Sequence, residues 1–263
     1  MFTESITERI KKIDREELEA IALMGSYARG EARKYSDIDI VCFLKEGNEG
    51  RLPDIEIVDS KYLVISYVTR EETDKWFCDP EKATECISGL RQSKVIWDPN
   101  GYLSSLKKRA EEFKWDSSLQ EKANNYASRE LVSWVEEVHK ALQGLLSNDI
   151  GRILNGLYGL TYGLFKVVRV QKGILLTSDN SFFKQVIDYF GEESEFAILS
   201  KEAFGIDNTL GVRERVISGL KLFDLITDML VDILNDDAKE AILLVKDEIG
   251  RELDNNLEKL KNQ

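Results

Sequence analysis

The sequence predicts an α+β segment followed by an all-α helical bundle, and two observations predict it. Short β-branched and aromatic runs separated by turn residues fill the chain up to Trp97. From Ser117 to Gln263 there is no proline, and long stretches of helical apolar spacing succeed one another. The change of texture sets a boundary near residue 115, with an α+β domain over 1–115 and a helical domain over 116–263. A chain of 263 residues is long enough for two cores.

Ser5 to Ile13 has the apolar spacing of a short amphipathic helix, and Leu18 to Met24 is a compact apolar run stopped by Gly25. Asp37 to Leu44 alternates, with Ile38, Ile40 and Cys42 on one face and Asp37, Asp39 and Val41 on the other. Asp54 to Val58 and Tyr62 to Val68 read as a hairpin about Asp59-Ser60-Lys61. Thr69 with Glu71-Glu72 is a capping-box-like start for a helix through Phe77, and Val95 to Trp97 is a last short strand. Helical patterns then cover Leu119 to Leu146, Ile150 to Gln171, Phe182 to Phe190, Thr209 to Leu234 and Ala238 to Leu260.

Composition narrows the function. The formal net charge is −12, against the basic surface that a nucleic-acid binder needs, whereas a cationic small molecule is tolerated. No apolar run approaches the ~18 residues of a membrane span, and the first twelve residues lack a signal-peptide core, so a cytoplasmic location is expected. Cys42, Cys78 and Cys86 have no metal-ligand spacing and read as reduced thiols.

One stretch carries chemistry: Gly25-Ser26-Tyr27-Ala28-Arg29-Gly30, then Ser36-Asp37-Ile38-Asp39. Glycine at the end of a buried strand lets the backbone approach a ligand. The turn opens a helix start whose free N–H groups favour an anion. Ser26 adds a hydroxyl, and Arg29 a planar fork for phosphate. Asp37 and Asp39 lie two apart on a strand and so share a face. Side by side, two carboxylates repel unless a cation lies between them. Mg²⁺ suits such a pair, completing its shell with water and substrate phosphates. Together these features describe a metal–nucleotide site for in-line attack of a hydroxyl on phosphorus.

The segment resembles the nucleotidyltransferase superfamily, whose palm-like core is shared with DNA polymerase β. Gly25-Ser26-x-Ala28-Arg29-Gly30 before Ser36-Asp37-x-Asp39 is most similar to its minimal and antibiotic-modifying branch, which includes the aminoglycoside and lincosamide nucleotidyltransferases. The resemblance implies a palm of mixed β-sheet and helices in the N-terminal domain, with the helical bundle completing a substrate cleft. It implies that Gly25 and Ser26 hold the triphosphate of ATP or another NTP, with Arg29 and Ser36 as further contacts, and that Asp37 and Asp39 bind Mg²⁺.

Family members usually supply a third carboxylate from a neighbouring strand, yet Tyr62 to Val68 has no acid. Glu56 alternates with Ile55 and Ile57, so it either lies beside the Asp37–Asp39 face as a further metal ligand or is a solvated outer residue. Glu136 and Lys140, four apart on a helix, resemble the spacing with which kanamycin-modifying relatives hold a catalytic glutamate and a phosphate-binding lysine. Four apart also suits a plain exposed ion pair. His139, the only histidine, is assigned no chemistry. Tyr158, Tyr162 and Phe165 recur at helical spacing and read as bundle core rather than substrate wall. Gly151, Gly156, Gly159 and Gly163 would let a neighbouring helix or a ligand come close.

The sequence thus points to transfer of a nucleoside monophosphate, AMP by resemblance, from Mg-NTP to a hydroxylated small molecule such as an aminoglycoside or lincosamide antibiotic. Two other readings stand beside it. One is an interaction or antitoxin-type protein that modifies or blocks a partner protein, and the other is a nucleotide-binding pseudoenzyme. A membrane partner and a nucleic acid are not expected, and the sequence leaves open whether the chain pairs as a homodimer.

Overall fold

The structure, a computed structural model, describes residues 2–206 and 209–262. The chain forms two compact units, Met1–Trp115 with Leu175–Asp179, and Asp116–Ile174 with Asn180–Gln263. The return of 175–179 to the first unit has no signature in the sequence. The Leu176 N–H donates to the Thr84 carbonyl at 2.8 Å and tethers it there.

The first unit runs α1 (Glu4–Lys11), β1 (Leu18–Leu23), α2 (Gly25–Arg29), β2 (Ile38–Leu44), β3 (Asp54–Val58), β4 (Lys61–Val68), α3 (Arg70–Cys78), α4 (Pro80–Gln92), β5 (Lys94–Trp97) and α5 (Tyr102–Glu111). The sheet order is β3-β4-β2-β1-β5. Only the β2–β4 pair is parallel, so the sheet is mixed. β3 and β4 form the expected hairpin, and Asp59 and Ser60 both take positive φ at its turn. Thr69 and Glu72 make a full capping box on α3. Two helices, α4 and α5, add to the elements expected from the sequence. Asp79 caps α4 and Pro80 fills its first turn, a helix-start signal legible in the chain.

Both faces of β2 are used. Ile38, Ile40 and Cys42 face one layer and pack with Ile6 and Ile10 of α1, Ile21 and Leu23 of β1, and Leu63 and Ile65 of β4. Each fully buried aliphatic side chain in such a core contributes roughly 1.5–3 kcal/mol. Phe43 points to the other layer, where its ring meets Trp76 of α3 at 6.1 Å and Tyr102 of α5 at 6.0 Å. Helices therefore cover this second face at the Phe43 end of β2.

The second unit contains α6 (Ser117–Ser133), α7 (Val135–Ser147), α8 (Ile150–Tyr158), a π-helical turn (Gly159–Gly163), α9 (Leu164–Gln171), α10 (Phe182–Phe190), α11 (Glu195–Phe204), α12 (Val212–Leu230) and α13 (Asp236–Asn262). The helix expected over Leu119 to Leu146 divides at Trp134, and α11 is an addition. Phe165 is core as expected, stacked on Phe183 at 5.4 Å. Tyr158 and Tyr162 are not, being 63% and 55% exposed. The wide π turn is the reason: an extra residue in a turn rotates the helix beyond it by about 100° and takes Phe165 off their face. Among the described residues, no helix is long and apolar enough to cross a membrane.

The glycines of α8 and the π turn mark close helix contacts. A Cβ on Gly156 would lie 2.8 Å from the backbone of Ala141 in α7, and one on Gly163 would lie 2.5 Å from the Trp134 indole. Gly156→Ala gains about 1 kcal/mol of helix propensity but overpacks rigid backbone, which costs roughly 1–3 kcal/mol. Denaturant unfolding should show the variant less stable than wild type by up to ~2 kcal/mol.

Candidate functional site

Antiparallel pairing of β1 and β2 builds the site. The pairing sets Leu23 opposite Ile40, and the Met24 N–H donates to the Asp39 carbonyl at 2.8 Å. One residue later the chain leaves the sheet at Gly25, whose φ of +64° suits glycine. A Cβ there would sit 1.9 Å from Asp39 Oδ2 and 2.9 Å from its Cγ. The Asp39 carboxylate thus lies against the bare Cα of Gly25, and every other residue type would collide with it.

Gly25 opens the single turn of α2, which Gly30 ends in the left-handed conformation. Met24 at its N-cap provides no side-chain cap, and its carbonyl accepts from the Ala28 N–H at 3.3 Å. Ser26 is half-buried on this turn, and its carbonyl accepts from the Glu31 N–H at 2.9 Å. Ala28 is buried, while Tyr27 packs on the core and its ring meets that of Phe2 at 5.8 Å, so two neighbouring side chains anchor the turn.

The Arg29 side chain is only 15% exposed and is held by Glu31 at 2.7 Å. It also acts on Asp39 electrostatically. Ser36 Oγ accepts from the Arg33 N–H at 2.9 Å, and the Ser36 N–H donates back to the Arg33 carbonyl at 3.1 Å. That reciprocal pair pins the loop ahead of Asp37. Asp37 is exposed and Asp39 half-buried. Burial raises the Asp39 carboxyl above the ordinary aspartate range, the Asp37 charge raises it further, and Arg29 offsets part of this. Donors for an anion and a mutually repelling pair of carboxylates thus meet at one corner of the sheet.

Glu56 is a correction. In register, Glu56 of β3 opposes Leu63 of β4, which opposes Ile38 of β2. Glu56 therefore lies on the Ile38 face, away from Asp39, where it is partly exposed and ion-paired. Arg9 of α1 donates to both its oxygens, with Nε to Oε2 at 2.6 Å. This bidentate bond holds the Glu56 carboxyl below its usual range. Asp54, on the same face, accepts from the Tyr67 hydroxyl at 2.7 Å.

The row that does continue from Asp39 is Val64 and then Ile55, with Tyr62 and Ile57 beside them. Ile55, Ile57 and Tyr62 are 66%, 70% and 59% exposed. The alternation around Glu56 is legible in the sequence; which side faces the helix is not. Among the described residues, no group of three or more His, Cys, Asp or Glu side chains converges to hold a metal.

Glu136 and Lys140 belong to the second unit. Lys140 contacts Glu136 at 2.8 Å and Glu137 at 2.9 Å. The lysine lowers the Glu136 carboxyl, opposite to what a general base near neutrality needs. His139 Nε2 lies 2.8 Å from Glu248 of α13.

The raised Asp39 carboxyl has a consequence for stability. Its cost is absent below the unfolded carboxylate range and is complete once pH has risen through the folded value. Metal-free Asp39→Asn should melt above wild type at neutral pH, and the difference should vanish in acid. Gly25→Ala should lose stability by about 1–2 kcal/mol for the left-handed backbone alone, plus the displacement of Asp39.

Comparison with known proteins bears on the fold and on the N-terminal segment. No curated protein matches the chain. A crystal structure of a nucleotidyltransferase-like protein from Exiguobacterium sibiricum has the same fold at a TM-score of 0.52 and 12% identity, covering 97% of this chain and 90% of that one. The model of the nucleotidyltransferase domain family matches residues 4–96, which span α1 to β5 and contain every residue of the Gly25–Asp39 corner. The chain is thus similar to the nucleotidyltransferase domain family over residues 4–96.

Proposed function

We propose that the chain transfers a nucleoside monophosphate, AMP in the first instance, from a magnesium-bound nucleoside triphosphate to a hydroxyl of a small molecule. The observation that carries this reading is the Asp39 carboxylate seated on Gly25, which brings the anion-binding turn and the carboxylate pair to one place. The uncapped N–H groups of α2 and the Ser26 hydroxyl bind the triphosphate. Arg29 adds positive charge at the same corner. Asp37 and Asp39 would hold the divalent cation, whose charge would offset the burial and the Asp37 repulsion that together raise Asp39.

Two carboxylates suit a hard ion that fills its remaining positions with water and phosphate oxygen. The bound ion would supply neutralisation of the charge that builds on phosphorus during in-line displacement. The acceptor oxygen bonds to the α-phosphorus as the bond from the α-phosphorus to the bridging oxygen of pyrophosphate breaks, and the hydroxyl proton passes to solvent water. Aminoglycosides and lincosamides, the acceptors of the antibiotic-modifying branch the chain resembles, are the two classes to compare.

A second reading is favoured by one observation. No third acid joins the pair among the described residues, which suits nucleotide binding without turnover. Calorimetry with Mg·ATP and then a labelled-transfer assay separates the two. Asp37→Ala and Asp39→Ala should each lower transfer by roughly 10²-fold or more and weaken Mg·ATP binding. Unchanged transfer in both variants would rule the site out.

A further inference from the structure

We infer that the acceptor is a hydroxylated amphiphile that lays an apolar face about 10 Å long over Val64, Ile55, Ile57 and Tyr62, and not a polycation. The inference rests on the transfer reading above and names the substrate class for the same site.

Strand register places this face. Asp39, Val64 and Ile55 stand side by side on β2, β4 and β3. Neighbouring strands are ~4.8 Å apart, so Val64 lies about 5 Å from Asp39 across the sheet and Ile55 about 10 Å. Tyr62 and Ile57 make the adjacent row: Tyr62 precedes the partner of Ile38 just as Asp37 precedes Ile38. At the other end of β2 the same face is closed by Trp76 and Tyr102 around Phe43. The open part of the face thus begins at the carboxylate pair and continues as apolar surface to the sheet edge.

Charge then selects the occupant. The acids of β3 are turned away, Glu56 to Arg9 and Asp54 to Tyr67. β4 contributes no acid. A polyamine or aminocyclitol lying on this row would find no carboxylate beyond the two that hold the metal, and its ammonium groups would be desolvated against isoleucine. An apolar ligand face buries Ile55, Ile57 and Tyr62, which are otherwise wet.

Distance excludes another occupant for the reacting group. A polypeptide strand added to the free edge of β3 would lie three strand spacings, ~14 Å, from Asp39. That exceeds the reach of its side-chain hydroxyls, whereas a small molecule lying on the face reaches directly.

The test uses full-length protein with labelled ATP and magnesium. The apolar-faced probes are lincomycin and octyl glucoside below its micellar concentration, and the polycations are kanamycin and neamine. The expected result is label in an apolar-faced probe alone. Ile55→Glu combined with Ile57→Glu should then raise the acceptor KM by about 10-fold or more, with the Mg·ATP dissociation constant unchanged. Tyr62→Phe should retain transfer, and melting curves check that the exposed substitutions leave the fold intact.

Label in the polycations or an unaltered KM in the double variant would each overturn the inference. So would a wild-type dimer in sedimentation that the double variant abolishes, since the face would then belong to a second copy. Mg·ATP binding with no label in either class, or absence of Mg·ATP binding by wild type, would instead defeat the transfer reading itself.

Discussion

The structure of the first unit turns on one contact, the Asp39 carboxylate lying on the bare Cα of Gly25. It joins two demands that would otherwise compete. The chain must leave β1 sharply enough to aim the amides of α2 at an anion, and it must leave room for an acidic side chain from the next strand. A residue without Cβ, in a left-handed conformation, meets both. The backbone bond from Met24 to Asp39 fixes the register that keeps the two together. The cost is electrostatic: Asp39 is half-buried beside Asp37 with only Arg29 to offset it. Such a pair is poorly satisfied by the protein alone, and the proposed function assigns a cation to it.

Around this corner the sheet has two unlike faces. One is a continuous aliphatic layer under α1, and it also takes up Glu56 and Asp54 through Arg9 and Tyr67. The other is sealed by aromatic rings at one end and open at the Asp39 end. Edge strands commonly carry charged side chains that blunt the edge. β3 does the reverse, with exposed Ile55 and Ile57 and an ion-paired Glu56. This arrangement takes the β3 acid away from the Asp37–Asp39 corner and leaves an apolar surface beside it.

Much of the first unit is legible in the chain because its signals are local. Alternation marks β2 and its buried Ile38, Ile40 and Cys42, and the box at Thr69 and Glu72 marks the start of α3. The Gly25-Ser26 turn and the Asp37-x-Asp39 pair are legible as chemistry, but their contact is not, since it depends on strand pairing. The place of Glu56 is hidden because its partner Arg9 lies 47 residues away and alternation cannot say which face is which. The exposure of Tyr158 and Tyr162 is hidden because a π turn breaks the helical phase without any mark that periodicity detects. The Asp79-Pro80 start of α4, by contrast, is a local signal of the ordinary kind.

The most direct measurement is a crystal structure of the protein with manganese and a non-hydrolysable ATP analogue, read by anomalous scattering. A metal peak ~2.2 Å from oxygens of both Asp37 and Asp39 is expected, with the triphosphate over the amides of Gly25 and Ser26. A nucleotide bound elsewhere, or at this corner without metal on the two aspartates, would contradict the proposed site.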